Sequence, residues 1–168
     1  MAEGGVAQNK MSNVVLERIE EVKQPLDLPT AEELSRGGMM YERVKRMWVA
    51  RLRAEGNQQC TGFFKKGDRF CVLGLLCQLY IEDTGEASWE GSYLTLFDSS
   101  VSKWYGGSAV PSQVAKWAGF PRHRANWGDG IGESLRFRHE GRDYYLATLN
   151  DEVELTFDQL ADLIDEQA

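Results

Sequence analysis

Apolar residues recur along this chain at two spacings, and each spacing predicts an element. Val15, Leu16, Ile19 and Val22 fall on one helical face behind Ser12, a residue able to cap a helix, and the pattern must stop before Gln24-Pro25. A first helix is expected near 13–23. The extended run Pro25-Leu26-Asp27-Leu28-Pro29 leads to Thr30 and Glu33, spaced as a capping box, with Gly37-Gly38 as the stop of a second short helix. From Tyr41 onward, Val44, Met47, Trp48 and Leu52 form an apolar stripe ringed by Arg43, Lys45, Arg46, Arg51 and Arg53, with Gly56 as the stop. This predicts a basic helix.

Cys60 to Phe64 reads as a short strand or extended piece, followed by a turn at Lys65-Lys66-Gly67-Asp68. The segment Phe70-Cys71-Val72-Leu73-Gly74-Leu75-Leu76-Cys77-Gln78-Leu79-Tyr80 is almost wholly apolar, and as a helix from Cys71 to Ile81 it is interrupted only by Cys71, Gly74 and Gln78. Such a helix is buried on most sides, and Gly74 can admit a close neighbour. Trp89 to Phe97 reads as one strand of a small antiparallel sheet. Pro111 as the first helical residue, then Val114, Trp117 and a Gly119 stop, predicts a two-turn helix. Ser134–His139 and Asp143–Leu149 alternate about Glu140-Gly141-Arg142 and predict a β-hairpin. Thr156 and Gln159 form a capping box before a last helix with Phe157, Leu160, Leu163 and Ile164 on one face and Asp158, Asp162 and Asp165 on the other. The sum is an α+β fold: an N-terminal helical arm over residues 1–40, then one domain over 41–168 with a buried central helix, amphipathic helices and a short antiparallel sheet.

Composition agrees with a folded chain. A hydrophobic content of 42% and five tryptophans in 168 residues can offset the chain entropy lost on folding. No apolar run approaches the ~20 residues that span a bilayer, and Met1 to Lys10 has no signal-peptide core, so a soluble cytoplasmic protein without membrane contact is expected. Three cysteines in that setting are expected to stay reduced. On one helix, Cys71 and Cys77 are six residues, or about 9 Å of rise, apart, too far to pair. With only His123 and His139 beside them, no metal site and no cofactor are expected.

The net charge of −7 is unevenly spread. Residues 151–168 hold seven acidic and no basic side chains, so the other 150 residues balance. Residues 41–70 carry eight basic side chains against three acidic, whereas 71–100 carry five acidic and none basic. The basic and acidic helices are therefore candidates to pair, within one chain or between copies.

Several islands in fixed order carry a resemblance: Trp48-x-x-x-Leu52-Arg53; Gly67-Asp68-x-Phe70-Cys71-x-Leu73-Gly74-x-Leu76-Cys77-x-Leu79-Tyr80; Val110-Pro111-x-x-Val114-x-x-Trp117-x-Gly119; Leu149-Asn150-Asp151; and Thr156-Phe157-x-x-Leu160-Ala161-Asp162-Leu163-Ile164. Over roughly residues 44–166 the chain resembles a family of small proteins encoded mainly by bacteriophages and prophages. The resemblance implies a phage origin and a shared fold, and it carries no reaction. The first forty residues and the long Arg136–Tyr145 hairpin depart from the family pattern.

Candidate chemistry is sparse. Cys71 at a helix N-terminus could be a nucleophile, with His123 or His139 as base, but it also begins the most apolar element and fits a core position. The glycine-rich Gly128-Asp129-Gly130-Ile131-Gly132-Glu133-Ser134 lacks a Gly-Lys-Ser/Thr ending and carries acids that repel phosphate, so it reads as a turn. Arg43, Arg46, Trp48, the Lys65-Lys66 turn, Arg122 and Arg124 could form a nucleic-acid surface, which the acidic total disfavours. Trp104 and Tyr105, beside Gly106-Gly107, are candidate anchors for a protein partner, or else core residues. Asp158 and Asp162 could offer carboxylates to a basic partner. The expected role is non-catalytic binding to a protein, as a phage accessory or counter-defence factor in the host cytoplasm. The alternatives are a virion component whose arm clasps a neighbour, or a nucleic-acid-associated protein.

Overall fold

The computed structural model describes residues 40–97, 103–104, 106, 109–120 and 136–168. The chain divides between Ser35 and Arg36, and every described residue belongs to the second unit. The helix expected at 13–23, the one after Thr30, Tyr105, Arg122, His123, Arg124 and the glycine-rich Gly128–Ser134 segment lie outside the described residues.

The element order is α1 (Glu42–Ala54), β1 (Lys65–Lys66), β2 (Arg69–Phe70), α2 (Val72–Thr84), β3 (Ala87–Glu90), β4 (Tyr93–Leu96), β5 (Lys103–Trp104), α3 (Ser112–Ala118), β6 (Arg136–His139), β7 (Arg142–Tyr145), α4 (Leu146–Asp151) and α5 (Phe157–Gln167). The described strands form three small antiparallel sheets, β1-β2, β3-β4-β5 and β6-β7, so the fold is α+β.

The apolar segment forms the centre as its composition predicts, because a helix without a polar face has no side to turn toward water. Eight α2 residues are buried, and α1, α3, α4, β2 and β3 pack around them. Burial of each large aliphatic side chain contributes about 1.5–3 kcal/mol. α2 begins one residue later than the pattern suggests and runs to Thr84. Cys71 is its N-cap, and the Cys71 Sγ accepts from the Gly74 N–H at 3.3 Å. Gly85, at φ 69°, closes the helix in a left-handed conformation.

The first turn of α2 is crossed by the chain at 59–64, and the crossing explains Gly74. A Cβ built there would lie 1.8 Å from the Phe64 carbonyl oxygen. The Cys71 N–H donates to that same oxygen at 3.1 Å. Asn150, on α4, is the one buried polar side chain among the described residues. Its Oδ1 accepts from the Val72 N–H and from Gln59 Nε2, both at 3.1 Å, and its Nδ2 donates to the Cys60 carbonyl at 3.0 Å. Trp48 Nε1 donates to the Val72 carbonyl at 3.0 Å, which ties α1 to the same turn. Helix N-terminal N–H groups have no partner within the helix, and here side chains and a neighbouring loop supply them.

Other expectations need correction. Of the strand or extended piece expected at Cys60–Phe64, no strand forms, an isolated parallel bridge pairs Gln59 just before it with Phe70, and Lys65-Lys66, expected in the turn, form β1, which pairs with β2 across Gly67-Asp68. Gly62 at φ 77° bends the chain so that Phe64 can lie over Gly74. Trp89–Phe97 is a hairpin rather than one strand, because Gly91 at φ 63° opens a two-residue loop. In the β6-β7 hairpin the loop is Glu140-Gly141, both with positive φ, and β7 ends at Tyr145. Residues 146–151 are helical, since Leu146, Leu149 and Asn150 share one buried face. Pro111 is the N-cap of α3 rather than its first helical residue, and Gly119 is its left-handed stop as expected. The capping box of α5 is present in both directions between Thr156 and Gln159.

Two substitutions test the crossing. In an open helix, Gly→Ala stabilises by about 1 kcal/mol. Gly74→Ala is expected to do the reverse and destabilise by at least about 1–3 kcal/mol in urea unfolding, because the new methyl must displace backbone. Asn150→Leu, which keeps the branching and the number of side-chain heavy atoms, leaves the Val72 N–H and the Cys60 carbonyl unmet. A loss of about 2–4 kcal/mol is expected at unchanged denaturant slope.

Candidate functional site

Strand alternation builds the candidate site on the outer face of the β3-β4-β5 sheet. Along β4, Leu94 and Leu96 are buried. The side chains between and beyond them face the other way by the period of two. Tyr93 is 47% exposed and Phe97, one residue past the strand, 64% exposed. The Phe97 N–H donates to the Glu86 carbonyl at 3.1 Å, so the ladder holds Phe97 in line. Four residues of strand place the two rings about 13 Å apart along one face. Register puts Glu90 opposite Tyr93 and Lys103 opposite Thr95, on this same face. Lys103 and Glu90 pair at 2.7 Å, bridging β3 to β5. The hydrogen bond to Lys103 lowers the Glu90 carboxyl and raises the Lys103 ammonium.

The neighbouring β1-β2 hairpin is joined to this sheet through Lys65, whose Nζ sits 5.5 Å from the Phe70 ring centre and 5.6 Å from that of Trp89. Trp89 Nε1 in turn donates to Gln78 Oε1 of α2 at 2.7 Å. Lys66, Arg69 and Phe63 are exposed around the hairpin.

The residues expected to bind are dispersed. Arg43 is forked onto Asp83, Nη1 to Oδ1 at 3.1 Å and Nη2 to Oδ2 at 2.7 Å, and Trp117 Nε1 donates to the same carboxylate at 2.6 Å. This cluster links α1, α2 and α3. The Arg43 hydrogen bond holds the Asp83 carboxyl below its ordinary value despite partial burial, and Asp83 raises the Arg43 guanidinium. Arg46 projects from α1 with its side chain 73% exposed, 3.8 Å from Glu42. Asp162 accepts from Arg53 at 2.9 Å, and Asp165 lies 3.7 Å from the same arginine. The basic and acidic helices thus pair within one chain, while Asp158 is exposed in the first turn of α5. Trp104 lies in β5, its backbone paired with Leu94.

Trp48 is fully buried and cannot stack on a base. Cys71 sits at a helix N-terminus as expected, yet burial pushes its thiol up to about 12, opposite to the shift a nucleophile needs. Burial likewise raises Cys60 and Cys77. His139 packs on the Tyr144 ring, centroids 6.4 Å apart. Among the described residues no group of three or more His, Cys, Asp or Glu could hold a metal ion, and no helix is long and apolar enough to cross a membrane.

Tyr93 and Phe97 escape a reading of 89–97 as one strand. A continuous strand would give Trp89 and Tyr93 the same face. The two-residue loop instead puts Trp89 opposite Leu94 on the inner face and Tyr93 on the outer one. Gly91-Ser92 is the signal for this loop.

The Asp83 cluster has a pH signature. Its carboxyl is depressed in the fold, so it contributes stability above the ordinary carboxylate value that is lost as pH falls through the lowered one. Asp83→Asn is expected to reduce the acid dependence of unfolding free energy below about pH 4 while leaving the slope above pH 6 unchanged, as measured by urea titrations across pH.

Neither the curated proteins nor the solved structures include a match to this chain. The sequence model of a family described as a domain of unknown function, DUF8296, matches residues 40–168, from the start of the described fold to its last helix, and the chain belongs to that family.

Proposed function

We propose that this protein is a non-catalytic binding protein that engages another protein through the outer face of the β3-β4-β5 sheet. The observation that carries this reading is the pair of exposed aromatic rings, Tyr93 and Phe97, aligned on one face of a strand whose alternate residues, Leu94 and Leu96, are anchored in the core. Aromatic side chains supply large contact area at small entropic cost, and here the backbone beneath them is already fixed. The Glu90–Lys103 pair satisfies the charges beside the rings, so the fitting partner is an apolar protein surface with a polar rim.

The phage resemblance supports an accessory factor whose partner is a host protein, a counter-defence role included. A virion role resting on the N-terminal arm lies outside the described residues. The nucleic-acid reading loses support with Trp48 buried and Arg43 and Arg53 engaged inside the chain. The cysteine-nucleophile reading loses support with the Cys71 thiol pushed up to about 12.

The test is affinity capture from host lysate with the full chain and with the Tyr93→Ala/Phe97→Ala double variant. One protein, enriched at least tenfold by the wild type and lost with the double variant at unchanged Tm, is the expected outcome. Equal capture by both forms, or recovery of nucleic acid alone, would overturn it.

A further inference from the structure

The backbone sets two of the three buried cysteines side by side. The Phe70 N–H donates to the Gln58 carbonyl at 2.9 Å and the Cys60 N–H to the Phe70 carbonyl at 2.8 Å, which makes a parallel bridge centred on Gln59 and Phe70. The next residues in that register are Cys60 and Cys71. Parallel neighbours stand about 4.8 Å apart, and a disulfide accepts Cα separations of about 4.4–6.8 Å. The two segments do not continue their ladder. The Asn150 carboxamide bridges them instead, accepting from the Val72 N–H at 3.1 Å and donating to the Cys60 carbonyl at 3.0 Å, so Cys60 and Cys71 lie between a direct backbone hydrogen bond and this bridge. The thiols are also near each other electrically, since a charge on Cys60 opposes one on Cys71.

We propose that Cys60 and Cys71 form a latent disulfide site that closes the loop 60–71 under a peroxide oxidant. Cys60 reacts first. It borders the exposed residues Thr61 and Gly62, and its Sγ lies 3.5 Å from the Phe63 carbonyl and 3.6 Å from that of Arg69. The Cys60 thiolate attacks one peroxide oxygen, the O–O bond breaks, and a sulfenic acid forms as hydroxide leaves. The Cys71 thiol, held beside that sulfur by the backbone register and too buried to ionise readily, attacks it while passing its own proton to the departing oxygen, so that the S–S bond forms as water leaves. The two thiol protons complete two waters, and two electrons have passed to the peroxide. Cys77 is excluded because it lies six residues, about 9 Å, further along α2. The bond would pin the hairpin bearing Phe63, Lys65, Lys66 and Arg69 to the first turn of α2, and it would take the Cys71 sulfur into a covalent link beside the Gly74 N–H it caps.

Purified full-length protein is treated with hydrogen peroxide at pH 7 and pH 9, blocked with iodoacetamide under denaturing conditions, and digested with chymotrypsin, which cuts between Cys71 and Cys77 after leucine. The expected result is the loss of two hydrogens from the intact mass, one Cys60–Cys71 linked peptide, Cys77 alkylated, faster formation at pH 9, and reversal by dithiothreitol with a fall in Tm of several degrees. Cys77→Ala should still form the bond, and Cys60→Ala should abolish it. A link to Cys77, a link between two chains, oxidation stopping at a single sulfur, or three alkylated thiols would each overturn the proposal. The peptide map of the wild type decides the matter even where a variant fails to fold.

Discussion

The structure depends on how the chain at 59–64 passes over the first turn of α2. That helix is apolar on nearly every side, so its burial is favourable wherever it lies in the core, but burial alone leaves its initial N–H groups without water. The crossing and Asn150 remove that cost together. The Phe64 carbonyl takes the Cys71 N–H, Asn150 takes that of Val72, and the absence of a side chain at Gly74 lets the two backbones touch. The helix start therefore has one position, and the β1-β2 hairpin that precedes it is delivered to the surface at that position.

Charge follows the same logic of internal use. Three arginines of α1 reach acids on other helices: Arg43 to Asp83, Arg51 to Glu82, and Arg53 to Asp162. Exposed pairs of this kind each contribute little, on the order of 0–1 kcal/mol, but they orient α1 against α2 and α5. The Arg43 fork, which shares Asp83 with Trp117, is the better organised because its geometry is bidentate and partly buried. A helix that looks like a basic binding face in the sequence thus spends much of its charge inside the fold.

What the sequence discloses is what local physics decides. The central helix, the α5 capping box and the Gly119 stop are each set by residues within a few positions of one another, and each is legible. Two-residue loops are not legible from alternation alone. At Gly91-Ser92 a hairpin reverses the chain, and the reading of one strand puts Trp89 on the same face as Tyr93, whereas Trp89 pairs with Leu94 on the inner face. Leu146 and Leu149 fit a strand edge or a helix turn equally well until Asn150 must reach inward. The role of Asn150 is invisible in sequence because its partners Val72 and Cys60 lie 78 and 90 residues away.

The same distinction bears on function. A side chain that stabilises the fold is explained by its neighbours, as Trp48 is by the Val72 carbonyl and Lys65 by the rings of Phe70 and Trp89. Phe97, with most of its ring in water, gains little from the fold beneath it. A single exposed ring needs no explanation. Two rings on one rigid face, with Leu94 and Leu96 between them locked in the core, form the surface on which the proposed protein binding rests, because neither the strand nor its register would have to be ordered for a partner to dock. Rigidity under the aromatic pair, rather than the exposure of either ring, is what supports the proposed reading. It is inherited from the helix whose start is fixed by the crossing, since β3 packs on α2 and β4 is held by β3.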